Sequence, residues 1–297
     1  AKLITSNSCE EKDKMRSMTL HTPLRYPGGK RKLSDFFERL LSDNGLLGGD
    51  YAEPFAGGAG LALELLKRGV VRHVYLNDID PHVFAFWDSI LNRTEDFCQL
   101  VEETPVTVQE WHKQKEIFSN PSTDSILHGF ATFFLNRTNR SGILLGGVIG
   151  GKNQNGKWKL DCRFNKTDLI RKIKSIGDAR DLISFFNVDA EHFLGGVCSS
   201  FSNRSLIYLD PPYYTKGACL YQNHYKHEDH ERLAKQVKKL ITPWVVSYDN
   251  NPTISMMYSN YSPVEYSIYY SVQNHVKGRE IIFCGNCNFP INTLPTY

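Results

Sequence analysis

Short apolar runs rich in β-branched and aromatic residues alternate along this chain with longer amphipathic stretches. The apolar runs predict buried strands, at 70–76, 182–188, 205–209, 244–249, 264–270 and 280–284. Amphipathic stretches such as 166–178 and 228–240 predict helices between them. Strands that alternate with helices predict an α/β fold with a doubly wound, mostly parallel sheet.

Acidic side chains stand where the predicted strands end. Asp78, Asp189 and Asp210 each follow an apolar run, and ligands of open α/β sheets bind outside the carboxyl ends of the strands. A glycine-rich turn at 53–60 leads from a strand into a helix and lets a ligand approach the backbone. Asp78 follows this turn by about 20 residues, the spacing at which a carboxylate reaches the ribose hydroxyls of a nucleoside. We therefore expect Glu53 and Asp78 to offer acceptors for hydroxyls or for a cation.

The apolar run at 205–209 ends abruptly in Asp210-Pro211-Pro212-Tyr213. Proline has no N–H for a sheet ladder, so two prolines in succession end the strand and leave the carbonyl groups of Asp210 and Pro211 free as acceptors. The turn thus offers a carboxylate, bare carbonyl groups and an aromatic ring close together, and we expect chemistry there.

A second candidate ligand loop lies near the N-terminus. Tyr26-Pro27-Gly28-Gly29-Lys30 combines residues that allow sharp turning with the first of three successive cations. The apolar positions that follow predict a helix with Ser34 as its N-cap. Residues 1–20 are polar and charged, so we expect a loose tail and no secretory signal.

Composition indicates a globular protein of a reducing compartment. Hydrophobic residues make up 41% and charged residues 23% of the 297 positions, without an apolar run long enough for a membrane span. The seven cysteines are irregularly spaced and odd in number, which favours reduced thiols in a cytoplasm. Cys284 and Cys287 form the only close pair in the sequence, and because a zinc site would need a second such pair, we expect no metal.

The net charge of +3 is small, so a nucleic-acid partner has to show as a local basic patch. The segments 136–142, 146–151 and 152–159 together form the most basic and least acidic part of the chain. Within them, Asn155-Gly156 between extended residues predicts a β-hairpin.

Taken together, these motifs resemble the Dam-type (D12 class) site-specific DNA adenine-N6 methyltransferases, over residues 24–286. The tetrapeptide at 210–213 is similar to the family's catalytic Asp-Pro-Pro-Tyr. The turn at 53–60 resembles its cofactor loop, the segment 25–30 its N-terminal cofactor motif, and Asp78 its ribose-binding acid.

The order of the segments is that of the family's α arrangement, in which the recognition region lies between the cofactor half and the catalytic half. Phe134-Leu135-Asn136-Arg137, with Ser141-Gly142, resembles the opening of that region. One departure is visible, because Phe55-Ala56-Gly57-Gly58-Ala59-Gly60 stands where many members carry Phe-x-Gly-x-Gly. We expect the small Ala59 to suffice, since S-adenosylmethionine has no pyrophosphate that demands the closest backbone contact.

The resemblance implies two domains. A Rossmann-like α/β methyltransferase sheet would comprise residues 21–84 and 178–297. An inserted, mainly helical target-recognition domain that carries the β-hairpin would comprise 85–177, and 1–20 would be a flexible tail. The implied activity is transfer of a methyl group from S-adenosylmethionine to N6 of an adenine flipped out of double-stranded DNA, with S-adenosylhomocysteine as product. We expect a cytoplasmic monomer, in a bacterial cell or a phage-infected host.

For catalysis, the resemblance implies that Asp210 and the Pro211 carbonyl accept the two N6 hydrogens. Pro212 would stiffen the turn, and Tyr213 would stack on the flipped ring. Asp78 would hold the ribose and Asp189 the cofactor's adenine amino group, while Lys30 could contact the cofactor or a DNA phosphate. The expected cofactor-binding residues are Tyr26, Lys30, Glu53, Phe55, Gly57, Asp78, Asp189 and Asp210.

For DNA, we expect the basic segment to supply phosphate contacts together with candidates for base edges or a wedge. The expected DNA-binding residues are Arg25, Asn136, Arg137, Asn139, Arg140, Ser141, Lys152, Asn155, Lys157, Trp158, Lys159 and Arg163, with Asn153 as a further candidate for a base edge.

Other interpretations stay open at this point. The acceptor could be cytosine N4, an RNA adenine or a protein glutamine, although Asp210 favours adenine, since those families usually carry Ser or Asn in the first position of the tetrapeptide. A nucleic-acid-binding module that has lost catalysis is the alternative from another class. The motifs of this chain do not identify the recognition sequence, nor do they distinguish a role in restriction and modification from phage self-protection or a solitary enzyme.

Overall fold

The computed structural model describes residues 18–26, 29–121, 124–214, 225–270 and 276–290. Contacts divide the chain into two compact units. The sheet unit comprises Lys30–Ile79 and the described part of Leu182–Tyr297, and the helical unit comprises Thr19–Gly29 and Asp80–Asp181. The segment 21–29, which the sequence analysis placed with the cofactor half, therefore packs with the helical unit.

Seven strands among the described residues form one sheet in the sheet unit, in the order β3-β2-β1-β4-β5-β7-β6. They are β1 Gly49–Glu53, β2 Val71–Asn77, β3 Ile183–Phe186, β4 Leu206–Leu209, β5 Trp244–Asp249, β6 Val264–Tyr270 and β7 Val276–Gly285. The first five pair in parallel, and β7 runs antiparallel between β5 and β6. The predicted doubly wound, mostly parallel α/β sheet is confirmed.

The direction of chain progression across the sheet reverses between β1 and β4. The chain builds outward from β1 through β2 and β3 and then continues at β4, on the other side of β1. Such a switch point leaves a crevice outside the carboxyl ends of the two strands. Glu53 ends β1 and Asp210 follows β4 directly, so the topology brings these two residues to the switch point.

Helices connect the strands and build the helical unit. They are α1 Ser34–Asp43, α2 Gly60–Lys67, α3 Pro81–Asn92, α4 Thr94–Glu103, α5 Val108–Ser119, α6 Ser125–Thr138, α7 Lys166–Asp178, α8 Ala190–Gly195, α9 His227–Val237 and α10 Pro252–Met257. A 3₁₀ turn at Lys30–Leu33 leads into α1, and Ser34, the expected N-cap, lies inside the helix, where its hydroxyl accepts from Arg68. In the described part of the chain, no helix is both long and apolar enough to cross a membrane.

The centre of the sheet is covered on both faces. Every residue of β1 and β4 is buried. Ile207 and Leu209 pack in one apolar cluster with Leu233 of α9, and on the opposite face the Tyr208 ring lies 4.7 Å from the Phe37 ring of α1. Burial on both faces explains why β4 has a continuous apolar sequence without alternating polar positions.

The helical unit has its core between α3 and α6. At Gly129 of α6, an added Cβ would lie 2.4 Å from the Ala85 carbonyl oxygen of α3, so the close approach of the two helices requires glycine. The rings of Phe86 and Phe133 stack beside this point with centroids 5.9 Å apart. The aromatic residues of α6 therefore contribute to the core of this unit.

The segment between α6 and α7 differs from the prediction. Residues 150–159 form turns, so the β-hairpin predicted at Asn155-Gly156 is wrong. Gln154 has a φ of 51°, and its side chain donates to the Ile149 carbonyl at 2.8 Å and accepts from the Leu160 N–H at 2.9 Å. These bonds and the left-handed Gly150 close a compact loop. The Gln154 side chain therefore bonds backbone groups that would otherwise be available to a hairpin ladder.

Two residues of α6 fasten the N-terminal segment to the helical unit. Asn136 accepts from the Arg25 N–H at 2.7 Å and donates to the carbonyl groups of Arg25 and Gly142 at 2.8 and 3.0 Å. The Arg137 guanidinium donates to the Pro23 carbonyl at 3.3 Å, and its burial lowers the pKa of Arg137 to about 10. These long-range bonds are the physical reason why 21–29 belongs with the helical unit.

Asn139, at the end of α6, is fully buried. Its Oδ1 accepts from the Trp111 indole N–H at 2.7 Å, and its Nδ2 donates to the carbonyl groups of Ile143 and Leu144 at 3.0 and 2.9 Å. The amide therefore shapes the loop that follows α6. The contacts of Asn136 and Asn139 with bases stay predictions.

Replacing Asn139 with Ala should lower the free energy of unfolding by about 1–3 kcal/mol, because the buried Trp111 N–H and two carbonyl groups lose their partner. Urea titration of the purified variant measures this loss. The matched control is Asn155→Ala, since Asn155 is exposed in the same loop and its change should stay within about 0.5 kcal/mol. Equal stability of the two variants would contradict the assigned role.

Candidate active site

The glycine-rich turn between β1 and α2 is bonded to the end of β2. The Gly57 N–H donates to Asp78 Oδ2 at 2.8 Å, so two predicted cofactor residues are in contact. Gly57 and Ala59 both have left-handed backbones, with φ of 47° and 48°. Left-handed backbone costs a residue with a Cβ about 1–2 kcal/mol. Ala59, which stands where many members of the family have glycine, therefore stores strain in this turn.

Asn77, the last residue of β2, is a structural residue of the site that the sequence analysis missed. Its side chain is fully buried. It donates to the carbonyl groups of Pro54 and Val188 at 3.0 and 2.9 Å and accepts from the Val188 N–H at 3.0 Å. It thus joins the loops that follow β1, β2 and β3. A polar residue inside an otherwise apolar strand end was the available signal.

Asp189 lies in the loop after β3 and is exposed. Its carboxylate accepts from the Glu191 N–H at 2.8 Å and caps α8, which is a common role for an acid before a helix. Its predicted bond to the cofactor's adenine stays a prediction.

Asp210 follows β4 and is held from two sides. Its Oδ1 accepts from the Ser247 hydroxyl of β5 at 2.9 Å, and the Lys30 ammonium lies 2.9 Å from each carboxylate oxygen. Burial raises the pKa of Asp210, and the Lys30 charge opposes that rise without cancelling it. Pro211 is buried beside it, and Pro212 is partly exposed.

Lys30 is a buried cation between two acids. Besides Asp210, its ammonium lies 3.4 Å from Glu280 Oε1 of β7 and donates to the Tyr213 hydroxyl at 3.3 Å. Burial alone lowers the pKa of Lys30, but the carboxylates of Asp210 and Glu280 outweigh it and raise that pKa well above its ordinary value. The ammonium therefore stays charged at neutral pH.

Tyr213 and Glu280 lie behind Asp210. The Tyr213 hydroxyl donates to Glu280 Oε1 at 2.6 Å, and the Tyr266 hydroxyl donates to Glu280 Oε2. Tyr213 is only 6% exposed, so its predicted stacking on a flipped base requires a ring face to become accessible when DNA binds. Sequence analysis missed Glu280, although an acid before the apolar run Ile-Ile-Phe was visible.

Glu53, at the end of β1, is buried as well. Its Oε1 accepts from the Tyr51 hydroxyl at 2.9 Å. Burial raises the pKa of Glu53 to about 8, although the Tyr51 bond acts in the other direction. The side chain is therefore mostly protonated at neutral pH, and its contact with a cofactor stays a prediction.

The chemistry of the groups around β1 and β2 fits a nucleoside-type methyl donor. The half-buried Asp78 carboxylate can accept from ribose hydroxyls, the Gly57 turn lies at the same strand ends, and Phe55 is a partly buried ring in that turn. In the residues that the structure describes, no group of three or more His, Cys, Asp or Glu side chains is arranged to hold a metal ion. Cys284 and Cys287 are free thiols beside the start of β5, at the end of the sheet opposite to the strand ends that carry Asp78 and Asp210.

Exposed cations of the predicted DNA-binding set lie in the loop after α6 and around the following 3₁₀ turn. The exposed members of the predicted DNA-binding set are Arg140, Lys152, Asn155, Lys157, Trp158, Lys159 and Arg163. Trp158 is 64% exposed, and the Lys157 ammonium lies 5.6 Å from its ring centroid. Ser141 is half-buried with a φ of 57°, and Tyr26 is half-buried in the N-terminal segment. Their ligand contacts stay predictions.

Two solved structures share overall similarity with this chain at low identity. A putative RNA methyltransferase, PH1948 from Pyrococcus horikoshii, is 10% identical with a TM-score of 0.42, over 94% of this chain and 97% of that one. The protein LPL1258 from Legionella pneumophila is 12% identical with a TM-score of 0.33, over 88% and 87%. Neither similarity is close enough to bear on fold or function.

Sequence comparison is decisive for the family. A curated relative, the Type II methyltransferase M.MjaIII of Methanocaldococcus jannaschii, is 24% identical over 239 residues, which cover 73% of this chain and 79% of the relative. Residues 26–274 match the family of D12 class N6 adenine-specific DNA methyltransferases, and this range contains the glycine-rich turn, Asp78 and the Asp-Pro-Pro-Tyr turn. The chain belongs to the D12 class of N6 adenine-specific DNA methyltransferases, as its motifs predicted.

Proposed function

We propose that this enzyme transfers a methyl group from S-adenosylmethionine to N6 of an adenine flipped out of double-stranded DNA at a specific site, leaving S-adenosylhomocysteine. The observation that supports this most directly is the Asp210 carboxylate, which Lys30 and Ser247 hold at the end of β4 beside the Pro211 carbonyl. The family match favours adenine in DNA over the cytosine-N4 and RNA alternatives.

Asp210 and Pro211 address the weakness of N6 as a nucleophile. The N6 lone pair is delocalised into the adenine ring, and acceptors on both N6 hydrogens draw the nitrogen toward a tetrahedral geometry that frees this pair. Each carboxylate oxygen has about two lone-pair positions, so Asp210 can accept one N6 hydrogen while it keeps Lys30 and Ser247. The Pro211 carbonyl accepts the other.

Asp210 is also the group that takes the proton. Methylation leaves a positive charge on N6, which makes the nitrogen acidic enough for a carboxylate to deprotonate it. A bound S-adenosylmethionine would supply the electrophilic methyl group, and the partly exposed Asp210 carboxylate would receive the proton from N6. Pro212 would limit the turn's freedom, and Tyr213 would cover the flipped ring.

Replacing Asp210 with Asn should lower methyl transfer about 100-fold or more while duplex DNA still binds, because the amide keeps the shape of the carboxylate but cannot accept a proton. Incorporation of labelled methyl groups into duplex DNA measures the first effect, and fluorescence anisotropy measures the second. Asp43→Asn on the surface of α1 is the matched control. Wild-type turnover in Asp210→Asn would rule out the assignment.

For the cofactor, Asp78 would accept hydrogen bonds from the ribose hydroxyls beside the Gly57 turn. Phe55, Tyr26 and Asp189 would contribute to the adenosine part, with Lys30 near the reacting end. These roles follow the family's motif order and the position of Asp78 at the carboxyl end of β2.

Asp78→Asn should weaken S-adenosylmethionine binding roughly 10- to 100-fold, because a hydrogen bond to a charged group contributes about 1.5–3 kcal/mol. The amide oxygen can still accept from the Gly57 N–H, so the turn should keep its shape. Isothermal titration calorimetry with the free enzyme measures the affinity, and Asp43→Asn serves again as the control. An unchanged dissociation constant would count against the ribose role.

For DNA, the exposed cations of the loop after α6 would contact phosphates, and Trp158 would reach base edges or act as a wedge. The mixture of exposed arginine and lysine with a 64% exposed tryptophan supports this proposal. The buried Asn136 and Asn139 would act mainly by shaping the loop.

Duplex binding should weaken steeply with salt, and single changes Lys152→Ala, Lys157→Ala and Arg163→Ala should each reduce the slope of log K against log salt by about 0.9. Anisotropy titrations over a range of salt concentrations measure the slope. Lys235→Ala is the control, since Lys235 is exposed on α9 in the sheet unit. If the salt slope of all four variants equalled that of the wild type, the assignment of these three cations to phosphate contacts would be wrong.

We also propose a biological role in restriction and modification, because the curated relative is a Type II methyltransferase. Phage self-protection and a solitary role are the alternatives. Single-molecule sequencing of DNA from cells that express the protein would report the methylated site. The cytoplasmic location and the monomeric state stay predictions.

A further inference from the structure

Glu280 lies in the middle of β7 and is fully buried. In the sheet it pairs with Asp249 of β5 and Tyr266 of β6. Its Oε1 accepts from the Tyr213 hydroxyl at 2.6 Å and lies 3.4 Å from the Lys30 ammonium. The carboxylate thus contacts Tyr213 of the catalytic turn directly and is linked to Asp210 through Lys30.

Burying a carboxylate at this position costs free energy of folding, and packing alone does not explain why the residue is an acid. Removing a carboxylate from water carries a large desolvation penalty, and an apolar residue of similar size is often equally stable at such a position. The following Ile281, Ile282 and Phe283 are apolar and buried. Lys30 already has an acid partner in Asp210 at 2.9 Å, so pairing Lys30 does not by itself require Glu280.

The charges explain what the second acid changes. Lys30 alone would direct its whole charge at Asp210 and make that carboxylate a poor proton acceptor. With Glu280 at 3.4 Å, the same ammonium is shared between two carboxylates. The Tyr213 hydroxyl, which bonds both Glu280 and Lys30, fixes this geometry.

We propose that Glu280 is a positioning residue for methyl transfer, which holds Lys30 and Tyr213 behind Asp210 and shares the Lys30 charge, so that Asp210 stays available as the proton acceptor. This inference rests on the proposed function. In the reaction the N6 lone pair forms the bond to the methyl carbon while the bond from that carbon to sulfur breaks and its electrons return to sulfur. The proton then lost from N6 passes to an Asp210 oxygen.

The direction of the effect on Asp210 can be worked out from its neighbours. After burial itself, the Lys30 charge lowers the pKa of Asp210 and the Glu280 charge raises it. Removing the Glu280 charge should therefore lower the pKa of Asp210 and weaken it as a base. The other groups that face this pair are Tyr208 and Ser247 beneath Asp210, Tyr213 in the turn, Tyr266 on β6, Asp249 on β5 and the mostly protonated Glu53 on β1.

The test is Glu280→Gln, which keeps the size of the side chain and removes its charge. Single-turnover methyl transfer to duplex DNA, with cofactor saturating, should be slower by roughly tenfold or more. The acid limb of its pH profile should move to lower pH, since Asp210 ionises more easily. Glu265→Gln on β6 is the matched control, because Glu265 is exposed on the neighbouring strand and should leave rate and profile unchanged.

A second measurement needs neither cofactor nor DNA. In protein labelled with ¹³C at aspartate carboxyl groups, the Asp210 signal, identified by its loss in Asp210→Asn, should titrate at lower pH in Glu280→Gln than in the wild type. Glu280→Asp keeps the charge but draws it away from Lys30, so its titration and its rate should lie between the two. This variant keeps an acid for Lys30 and decides the question if Glu280→Gln does not fold.

The outcomes separate the two proposals. A wild-type rate and an unmoved Asp210 titration in Glu280→Gln would overturn the role of Glu280. So would a fall in rate that only follows the loss of folded protein, with the acid limb and the carboxyl titration unchanged. Absence of methyl transfer in the wild-type enzyme would instead refute the proposed function.

Discussion

A buried ammonium group has to be matched by carboxylates, and at Lys30 this requirement joins distant parts of the sheet unit. Lys30 and Asp210 are separated by 180 positions in the sequence, and Glu280 reaches the same ammonium from β7. The Asp-Pro-Pro-Tyr turn is therefore held by contacts that join the 3₁₀ turn before α1, the end of β4 and the middle of β7. Unpaired, any one of the three charges would be strongly destabilising in this environment. The site and the fold thus depend on the same contact.

Much of the fold could be predicted because its signals are local. The strands at 244–249 and 264–270 and the helix at 166–178 have the predicted bounds, since apolar runs and helical periodicity are properties of neighbouring residues. The position of Asp210 followed from the end of an apolar run and two prolines. The alternation of strands and helices predicted the mostly parallel sheet but not the order of its strands.

What could not be predicted depends on residues far apart in sequence. Glu280 has no local pattern that marks it as a partner of Lys30, and Asn77 joins three loops through backbone groups 23 and 111 positions away. The prediction for the loop after α6 was wrong for a related reason. Asn155-Gly156 is a strong local hairpin signal, but the Gln154 side chain and the left-handed glycines give the backbone other partners.

The acids at the switch point also bear on the charge that the proposed reaction would create. Glu53 is mostly neutral at pH 7, since burial raises its pKa to about 8. The carboxyl groups of Asp210 and Glu280 surround the one Lys30 ammonium. The positive charge that methyl transfer would create on N6 would arise beside these groups. An arrangement that is fixed before the reaction stabilises such a charge without reorganising.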